Sequence, residues 1–429
     1  MNKIERLLHT LAPKGVEFKT LEEVFEIRNG YTPSKNNPEF WKNGTIPWFR
    51  MEDLRENGRI LKDSIQHITP KALKGKKLFP KNSIIISTTA TIGEHALLIV
   101  ESLANQRFTF LSKKANCDIA LDMKFFFYQC FLLGEWCKNN TNVSGFASVD
   151  MTAFKKYKFP IPPLEIQQEI VKILDAFTEL NAELNAELNA ELNARKKQYE
   201  YYRNMLLDFN DINQSRKDAK EKLTQKPYPK RLKTLLQTLA PKGVEFRKLG
   251  EVCEIIRGKR VTKKEILDKG KYPVVSGGIG FMGYLNEYNR EENTITIAQY
   301  GTAGFVNWQN QKFWANDVCF SVIPKETLIN RYLYYVLTNM QNYLYSISNR
   351  SAIPYNISSN NIMQITIPIP PLEIQQEIVT ILDQFSALTT NLQAGIPAEI
   401  KARKKQYEYY REKLLAFKPL TPHKEVKKA

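Results

Sequence analysis

Between residues 164 and 207 the apolar positions run Ile166, Ile170, Ile173, Phe177, Leu180 and Leu184, in alternating steps of four and three. That spacing is the seam of an amphipathic helix that packs along another helix. Pro162 and Pro163 sit where a helix starts but cannot continue, and Glu165 and Glu169 place negative charge near its positive end. Arg195, Lys196, Lys197 and Arg203 put cations in its C-terminal part. The pattern predicts one helix from Leu164 to Leu207, about 65 Å long at about 1.5 Å per residue. Within it, NAEL is written three times from Asn181 to Leu192. Ala, Glu and Leu favour helix, but a leucine every four residues drifts by about 40° per step and forms no strict heptad line.

This helix is written twice. PIPPLEIQQEI and ARKKQYEYYR recur so that residues 160–209 match 368–417 at a constant offset of 208, and LAPKGVEF at Leu11–Phe18 returns at Leu239–Phe246. Leu388, Leu392, Ile396 and Ile400 take the positions of Leu180, Leu184, Leu188 and Leu192. An apolar seam needs a partner, and pairing of the two copies predicts an antiparallel coiled coil with a pseudo-two-fold axis. Gly395 and Pro397 predict a kink or short interruption in the second copy.

Between the constant blocks the texture changes to short β-rich runs among Gly, Pro and Asn turns. Ser83–Ser87, Ala96–Val100 and Phe108–Leu111 read as strands and Met123–Trp136 as a helix; Tyr272–Val275, Thr294–Ala298 and Val318–Ile323 read as strands and Tyr332–Met340 as a helix. The fold class is therefore α+β: two mixed α/β globular inserts separated by two long helices. The expected boundaries are 1–159 and 232–367 for the two block-plus-insert segments, 160–209 and 368–417 for the helices, 210–231 for a polar linker and 418–429 for a basic tail.

Lys and Arg outnumber Asp and Glu by 62 to 45, a net charge of +17 that suits a polyanion, nucleic acid before membrane. No run approaches the roughly 18 apolar residues of a membrane span, and the N-terminus lacks the apolar core of a secretory signal. Five scattered cysteines without a CxxC read as reduced thiols, so a cytoplasmic protein is expected. Catalytic signatures are missing. The four histidines have no metal or triad spacing, and there is no phosphate loop. Gly278–Gly283 matches GxGxxG but is followed by YLNEYNREEN, which reads as a turn-rich loop rather than a nucleotide site. No metal site is expected.

Cationic, hydroxyl and aromatic residues gather where each insert meets its frame. Thr32, Ser34, Lys35, Trp48, Arg50 and Arg107 in the first insert are candidate DNA contacts. In the second they are Arg257, Lys259, Arg260, Lys263, Ser276, Gln299, Tyr300, Thr302 and Arg350. Lys, Arg, Ser and Thr on Gly-permitted loops suit phosphates, and Arg or Gln suits base edges. The competing reading places the aromatic residues in cores and the lysines on solvated faces.

The paired PIPPLEIQQEI and ARKKQYEYYR blocks, the NAEL repeat, and the runs GYTPS…IPWFR…TTATIGEHALL…NQRF and YPVVSGGIGFMGY…YGTAGFVNW…KFWANDVCF resemble the specificity (S) subunits of Type I restriction–modification systems over essentially the whole chain. The resemblance implies that each insert is a target recognition domain for half of a split, asymmetric DNA sequence, with the helices as a ruler. It implies no catalysis and no cofactor in the chain itself. The implied partners are double-stranded DNA, two methyltransferase (M) subunits using S-adenosylmethionine, and restriction (R) subunits. Two other classes stay open on the residues: a single-chain DNA methyltransferase or restriction enzyme, for which Asn36–Glu39 only imitates an NPPY motif, and a coiled-coil scaffold that reads no DNA.

Overall fold

The computed structural model describes residues 3–142, 147–209 and 227–420. Most of the expected linker, residues 210–226, and the expected basic tail beyond residue 420 lie outside the described residues. The chain divides into two units, Met1–Ala186 with Glu399–Ala429, and Glu187–Ala398. Each unit therefore holds one globular insert, the beginning of one long helix and the end of the other.

The two long helices span Leu164–Leu207 and Leu372–Leu415. In the first unit Phe177 stacks on Tyr410 with centroids 6.4 Å apart, and Thr178 Oγ1 lies 3.2 Å from the Tyr407 hydroxyl. In the second unit Tyr202 stacks on Phe385 at 5.0 Å. Rising numbers on one helix meet falling numbers on the other, so the helices run antiparallel. The two stacked pairs are the same pair at the offset of 208, with the helices exchanging roles.

Of the kink or short interruption expected at Gly395–Pro397, the interruption does not occur: the second helix runs on. Proline forfeits the one hydrogen bond its missing N–H would give, and burial of Ile396 beside it anchors that turn. Leu180 and Leu388 are 58% and 63% exposed. Leu184, Leu188, Leu192, Leu392 and Ile400 are half-buried. The expected pairing of Leu180 and Leu388 is thereby corrected: they keep the seam period, but the facing helix leaves most of each side chain uncovered.

Each insert is clamped to its frame in the same way. Glu17–Thr20 pairs antiparallel with Lys158–Ile161, and Glu245–Lys248 with Thr366–Ile369. These short ribbons close each insert where it leaves and rejoins the constant blocks. Next to them lies a fully buried glutamine. Gln167 Nε2 donates to the carbonyls of Pro162 (2.7 Å) and Ala120 (2.9 Å), and its Oε1 accepts from the Asp122 amide (2.8 Å). Gln375 repeats this with Pro370 (2.7 Å), Thr327 (3.0 Å) and the Ile329 amide (2.8 Å). Two turns on, Asp175 takes Lys124 and the Tyr128 hydroxyl, both at 2.6 Å. Asp383 takes Arg331 at 2.9 Å and the Tyr335 hydroxyl. Burial, then the aspartate, pushes both phenols well above their ordinary range, so they stay donors.

The inserts share a topology although their sequences do not align by eye. In the first, the sheet order is Phe25–Asn29, Phe108–Lys113, Ser83–Ser87, His95–Leu98, with Ile60–Leu61 added parallel at the edge. In the second it is Cys253–Arg257, Cys319–Pro324, Thr294–Ala298, Val306–Gln309. A smaller sheet holds a parallel pair in both: Ile46–Phe49 with Leu103–Ala104, and Tyr272–Val275 with Trp314–Ala315. The central strands are buried along their whole length, Ser83–Ser87 through three consecutive isoleucines and Thr294–Ala298 through isoleucines alternating with threonines. A helix covers the sheet of each insert, Met123–Asn139 and Asn330–Asn339.

Helix ends complete the cores. Leu415 is buried with Phe125 and Ile166 in the first unit, and Gln129 donates to its carbonyl. Leu206, Leu207 and Phe209 are buried in the core of the second. Gln167→Leu should leave an amide and two carbonyls buried and unpaired, at about 1–3 kcal/mol each. Chemical denaturation of the first unit, followed by tryptophan fluorescence, should therefore report a loss of about 3 kcal/mol or more. Gln375→Leu should do the same to the second unit, and an apolar swap without cost would dismiss the clamp.

His95 gives a second test. It is enclosed by Phe127 and Phe131, with Nδ1 3.1 Å from the Gly93 carbonyl and Nε2 unpartnered. Burial, reinforced by Arg59, pushes its imidazole down to about 3. The unfolded histidine takes up a proton near pH 6.5 while the folded one does not. The stability of the first unit should therefore fall as pH drops from about 6.5 toward 3, by up to about 1.4 kcal/mol per pH unit from this group. Hydrogen exchange of the Ser83–Ser87 amides between pH 7 and 4 measures this, and His95→Phe should flatten the dependence.

Candidate nucleic-acid interface

In each insert a loop and a turn lie at the same end of the larger sheet, after strands Phe25–Asn29 and Ser83–Ser87 or their counterparts. After strand Phe25–Asn29 the chain turns at Gly30, whose added Cβ would lie 2.4 Å from the Ala104 carbonyl oxygen; after Cys253–Arg257 it turns at Gly258, where the distance to Ala315 is 2.3 Å. The next residue then bonds back, Tyr31 N to the Ala104 carbonyl (2.8 Å) and Lys259 N to Ala315 (2.9 Å). A tryptophan ties each loop from a different strand. Trp48 Nε1 donates to the Tyr31 carbonyl and Trp314 Nε1 to Lys259, both at 2.9 Å.

The second shared segment is the turn 88–93 (TTATIG), equivalent to 299–304 (QYGTAG). Gly93 N bonds the Ser87 carbonyl and Gly304 N that of Ala298, each at 2.9 Å. Both glycines have left-handed φ, +88° and +87°, and an added Cβ would lie 2.5 Å from the Gly134 carbonyl oxygen or 3.0 Å from that of Leu344. The turn is thus pressed onto the helix behind it and needs glycine on two counts. Thr88 N bonds the Arg107 carbonyl, as Gln299 N bonds Val318.

Several sequence candidates brace these loops. Trp48 is 2% exposed and edge-on to Trp41, so it supports the loop from inside and presents no face to a ligand. Thr32 Oγ1 donates to Gln106. The Ser34 carbonyl accepts from Trp41 Nε1 at 2.9 Å. Thr302 donates twice to the Gly277 carbonyl, from its amide at 3.0 Å and its hydroxyl at 2.7 Å. Ser276 Oγ accepts from Asn316. Gln299 and Tyr300 are half-buried, their backbones bonded to Ile357 and bridged to Asn356.

The cations are placed differently. Lys35, Arg107, Lys259, Arg260 and Lys263 are exposed and form no ion pair among the described residues. Lys35, Lys42 and Arg50 line one open concavity with Trp41 and Gln66. Arg50 also lies 5.9 Å over Trp48 and 3.8 Å from Glu52. Arg257 is held by the Asp317 carbonyl at 2.7 Å, and Arg350 lies over Tyr345 at 5.6 Å. The arrangement offers exposed positive charge and polar turns on a rigid sheet edge.

Two features escaped sequence reasoning. Thr88, Thr89 and Thr91 occupy the places of Gln299, Tyr300 and Thr302, and a shared Thr-x-Gly was the available signal. The other is Asn316, buried, whose Oδ1 accepts from Val261 N at 3.1 Å while Nδ2 reaches Ser276 Oγ (3.5 Å) and Met282 Sδ (3.6 Å). Among the described residues no group of His, Cys, Asp and Glu is suited to a metal ion, and no helix is long and apolar enough to cross a membrane. Gly278–Gly283 lies on a loop that leads into a short strand at Tyr284–Leu285.

Comparison with known proteins places this architecture. Residues 13–194 and 241–402 each match the model of the Type I restriction modification DNA specificity domain. The chain is 42% identical over 406 residues to the Type I restriction enzyme EcoprrI specificity subunit of Escherichia coli, covering 91% of this chain and 93% of that one. In fold it is similar to a chain from a structural study of complex assembly and conformational transition of the type I R-M system, with TM-score 0.69, 17% identity and coverage of 95% and 98%. The HsdS subunit from Thermoanaerobacter tengcongensis is also similar, with TM-score 0.57, 17% identity and coverage of 95% and 99%. The chain belongs to the family of the Type I restriction modification DNA specificity domain, which it carries twice in tandem.

Proposed function

We propose that this chain is the DNA-reading subunit of a Type I restriction–modification assembly in the cytoplasm, each insert reading one half of a bipartite, asymmetric target. The observation that carries the reading is the pairing of one scaffold with two different sets of loops. Matching glutamine and aspartate clamps hold both inserts, while the segments at the sheet edge differ at most positions, TTATIG against QYGTAG in the shared turn. Exposed cations on those segments and the net charge of +17 suit a phosphate backbone.

The chain itself performs no chemistry. Methyl transfer from S-adenosylmethionine belongs to a partner methyltransferase, and cleavage to restriction subunits. Exposed apolar residues recur at matched places in both copies, Leu164 with Leu372, Leu180 with Leu388 and Tyr201 with Tyr409. Matched patches fit two copies of one partner, here two methyltransferase subunits. Of the candidate contacts, Lys35, Arg50, Arg107, Arg257, Lys259, Arg260, Lys263 and Arg350 take phosphates or base edges; Thr32, Trp48, Ser276 and Thr302 hold the loops that carry them.

The purified chain should bind duplex DNA with log affinity falling against log salt, and should transfer no methyl group. Adding an adenine methyltransferase partner should produce methylation at one two-part motif. Radiolabelled methyl incorporation by the chain alone, or scattered methylation with the partner, would dismiss the reading.

The NAEL tract tests the ruler. Deleting Asn189–Leu192 removes close to one turn, shortening the helix by about 6 Å with a twist of only about 40°. At about 3.4 Å per base pair, the gap between the half-sites should shorten by about one to two base pairs while both halves keep their bases. Mapping methylated adenines in a strain carrying the deletion measures this, and an unchanged gap with activity retained would refute it.

A further inference from the structure

The two inserts diverge where the central strand of the small sheet ends. After Phe49 the chain enters the polar helix Met51–Asn57. After Val275, at the equivalent place, it runs as the loop Ser276–Gly283, which projects Ile279 and Phe281. Ile279 is 68% exposed and Phe281 48%. Across the 299–304 turn a second loop closes between Asn349 and Asn356, which exchange backbone hydrogen bonds of 2.7 and 3.2 Å. Its tip is Ile353, 98% exposed.

Both loops are tied to the turn between them. Thr302 holds the Gly277 carbonyl, an added Cβ on Gly277 would lie 2.2 Å from the Tyr300 carbonyl oxygen, and Gly301 N donates to Tyr355 at 3.1 Å. Asn316 holds the returning strand of the first loop at Met282. These bonds fix the backbone without help from the apolar side chains, which contribute little to the core. Exposed apolar groups held on a rigid edge mark a binding surface. Arg350 is exposed on the second of these loops, and Lys259 and Arg260 on the loop after Gly258 that is tied to Trp314 and Ala315. Cations around an apolar tip match duplex DNA, which presents phosphates outside and thymine methyl groups in the major groove.

We propose that Ile279, Phe281 and Ile353 read the second half-site by apolar contact with the C5 methyl groups of thymines. The proposal rests on the DNA-reading function above. At the place of the Ser276–Gly283 loop the first insert has instead the helix Met51–Asn57, which carries no isoleucine or phenylalanine.

The test uses the full chain with its methyltransferase partner. The motif is mapped first, and duplexes are then made with uracil for thymine in one half at a time. Uracil in the second half should weaken binding by about fourfold per contacted thymine, the value of one buried methyl group. The effect of uracil in the first half should be the same for the wild-type chain and for the variant below. In the Ile279→Ser/Phe281→Ser/Ile353→Ser variant the uracil effect should vanish and the second half of the motif should relax at A·T positions, while the first half stays intact. Wild-type hydrogen exchange of the Thr294–Ala298 amides reports that the second insert of the variant is folded, and Ile353→Ser alone, at a fully solvated tip, gives a partial effect that no core loss explains. A second half-site without an A·T pair, indifference of the wild-type chain to uracil, or a variant that loses its methyltransferase partner while reading both halves unchanged would overturn the proposal. Absence of any defined motif would instead overturn the function on which it rests.

Discussion

A single buried glutamine side chain decides where each globular insert sits. Gln167 and Gln375 use both ends of the amide to join the first turn of a long helix to the segment entering the helix that covers the sheet. A primary amide is suited to this, because it donates and accepts without charge and so avoids the cost of burying an ion. With that joint set, Asp175 or Asp383 fixes the rotation of the insert about the helix through one cation and one tyrosine. The ribbon of Glu17–Thr20 with Lys158–Ile161, or its copy, fixes the third point. Three independent attachments leave an insert no rigid-body freedom on its own helix.

That constraint explains why so much else is free to differ. The clamp touches only backbone carbonyls and amides on the insert, so it imposes no side-chain identity on residues 120–122 or 327–329. Lys124 in one unit stands where Arg331 stands in the other, and both satisfy the aspartate. The same economy holds at the turns. TTATIG and QYGTAG trace one backbone path because their bonds are main-chain bonds and because glycine occupies the position pressed onto the helix.

How much of this was legible in the sequence follows from the range of each interaction. The long helices and the strands Ser83–Ser87, Tyr272–Val275 and Thr294–Ala298 begin and end as read, because periodicity and apolar runs are local signals. At Pro397 a local rule offers a kink or an interruption; the interruption does not occur, because a long helix with a buried neighbour at Ile396 tolerates one missing bond. Leu180 and Leu388 were misread because they satisfy the seam period, whereas their exposure depends on what the facing helix presents opposite them, which no local pattern states. Trp48 carried the signature of a contact residue, yet its partner is the Tyr31 carbonyl, 17 positions away in sequence. The buried glutamines were visible as part of a repeated motif, but nothing local distinguishes Gln167 from the exposed Gln168 beside it.

The division between brace and reader follows from hydrogen-bond capacity. A hydroxyl or tryptophan N–H has few bonds to give, and on these loops Thr32, Thr302, Trp48 and Trp314 spend them on neighbouring loops or carbonyls. A lysine or arginine keeps donors in reserve, so even Arg257, bonded once to the Asp317 carbonyl, has others left. Aliphatic tips such as Ile353 have no bond to satisfy and lose nothing by waiting in water except the hydrophobic free energy that contact would return. Rigid polar braces therefore hold an edge whose outward groups are either multivalent cations or bare apolar surface. Such an edge presents changeable groups on an unchanging backbone, and changing them leaves the glutamine clamp, and with it the placement of the insert, undisturbed.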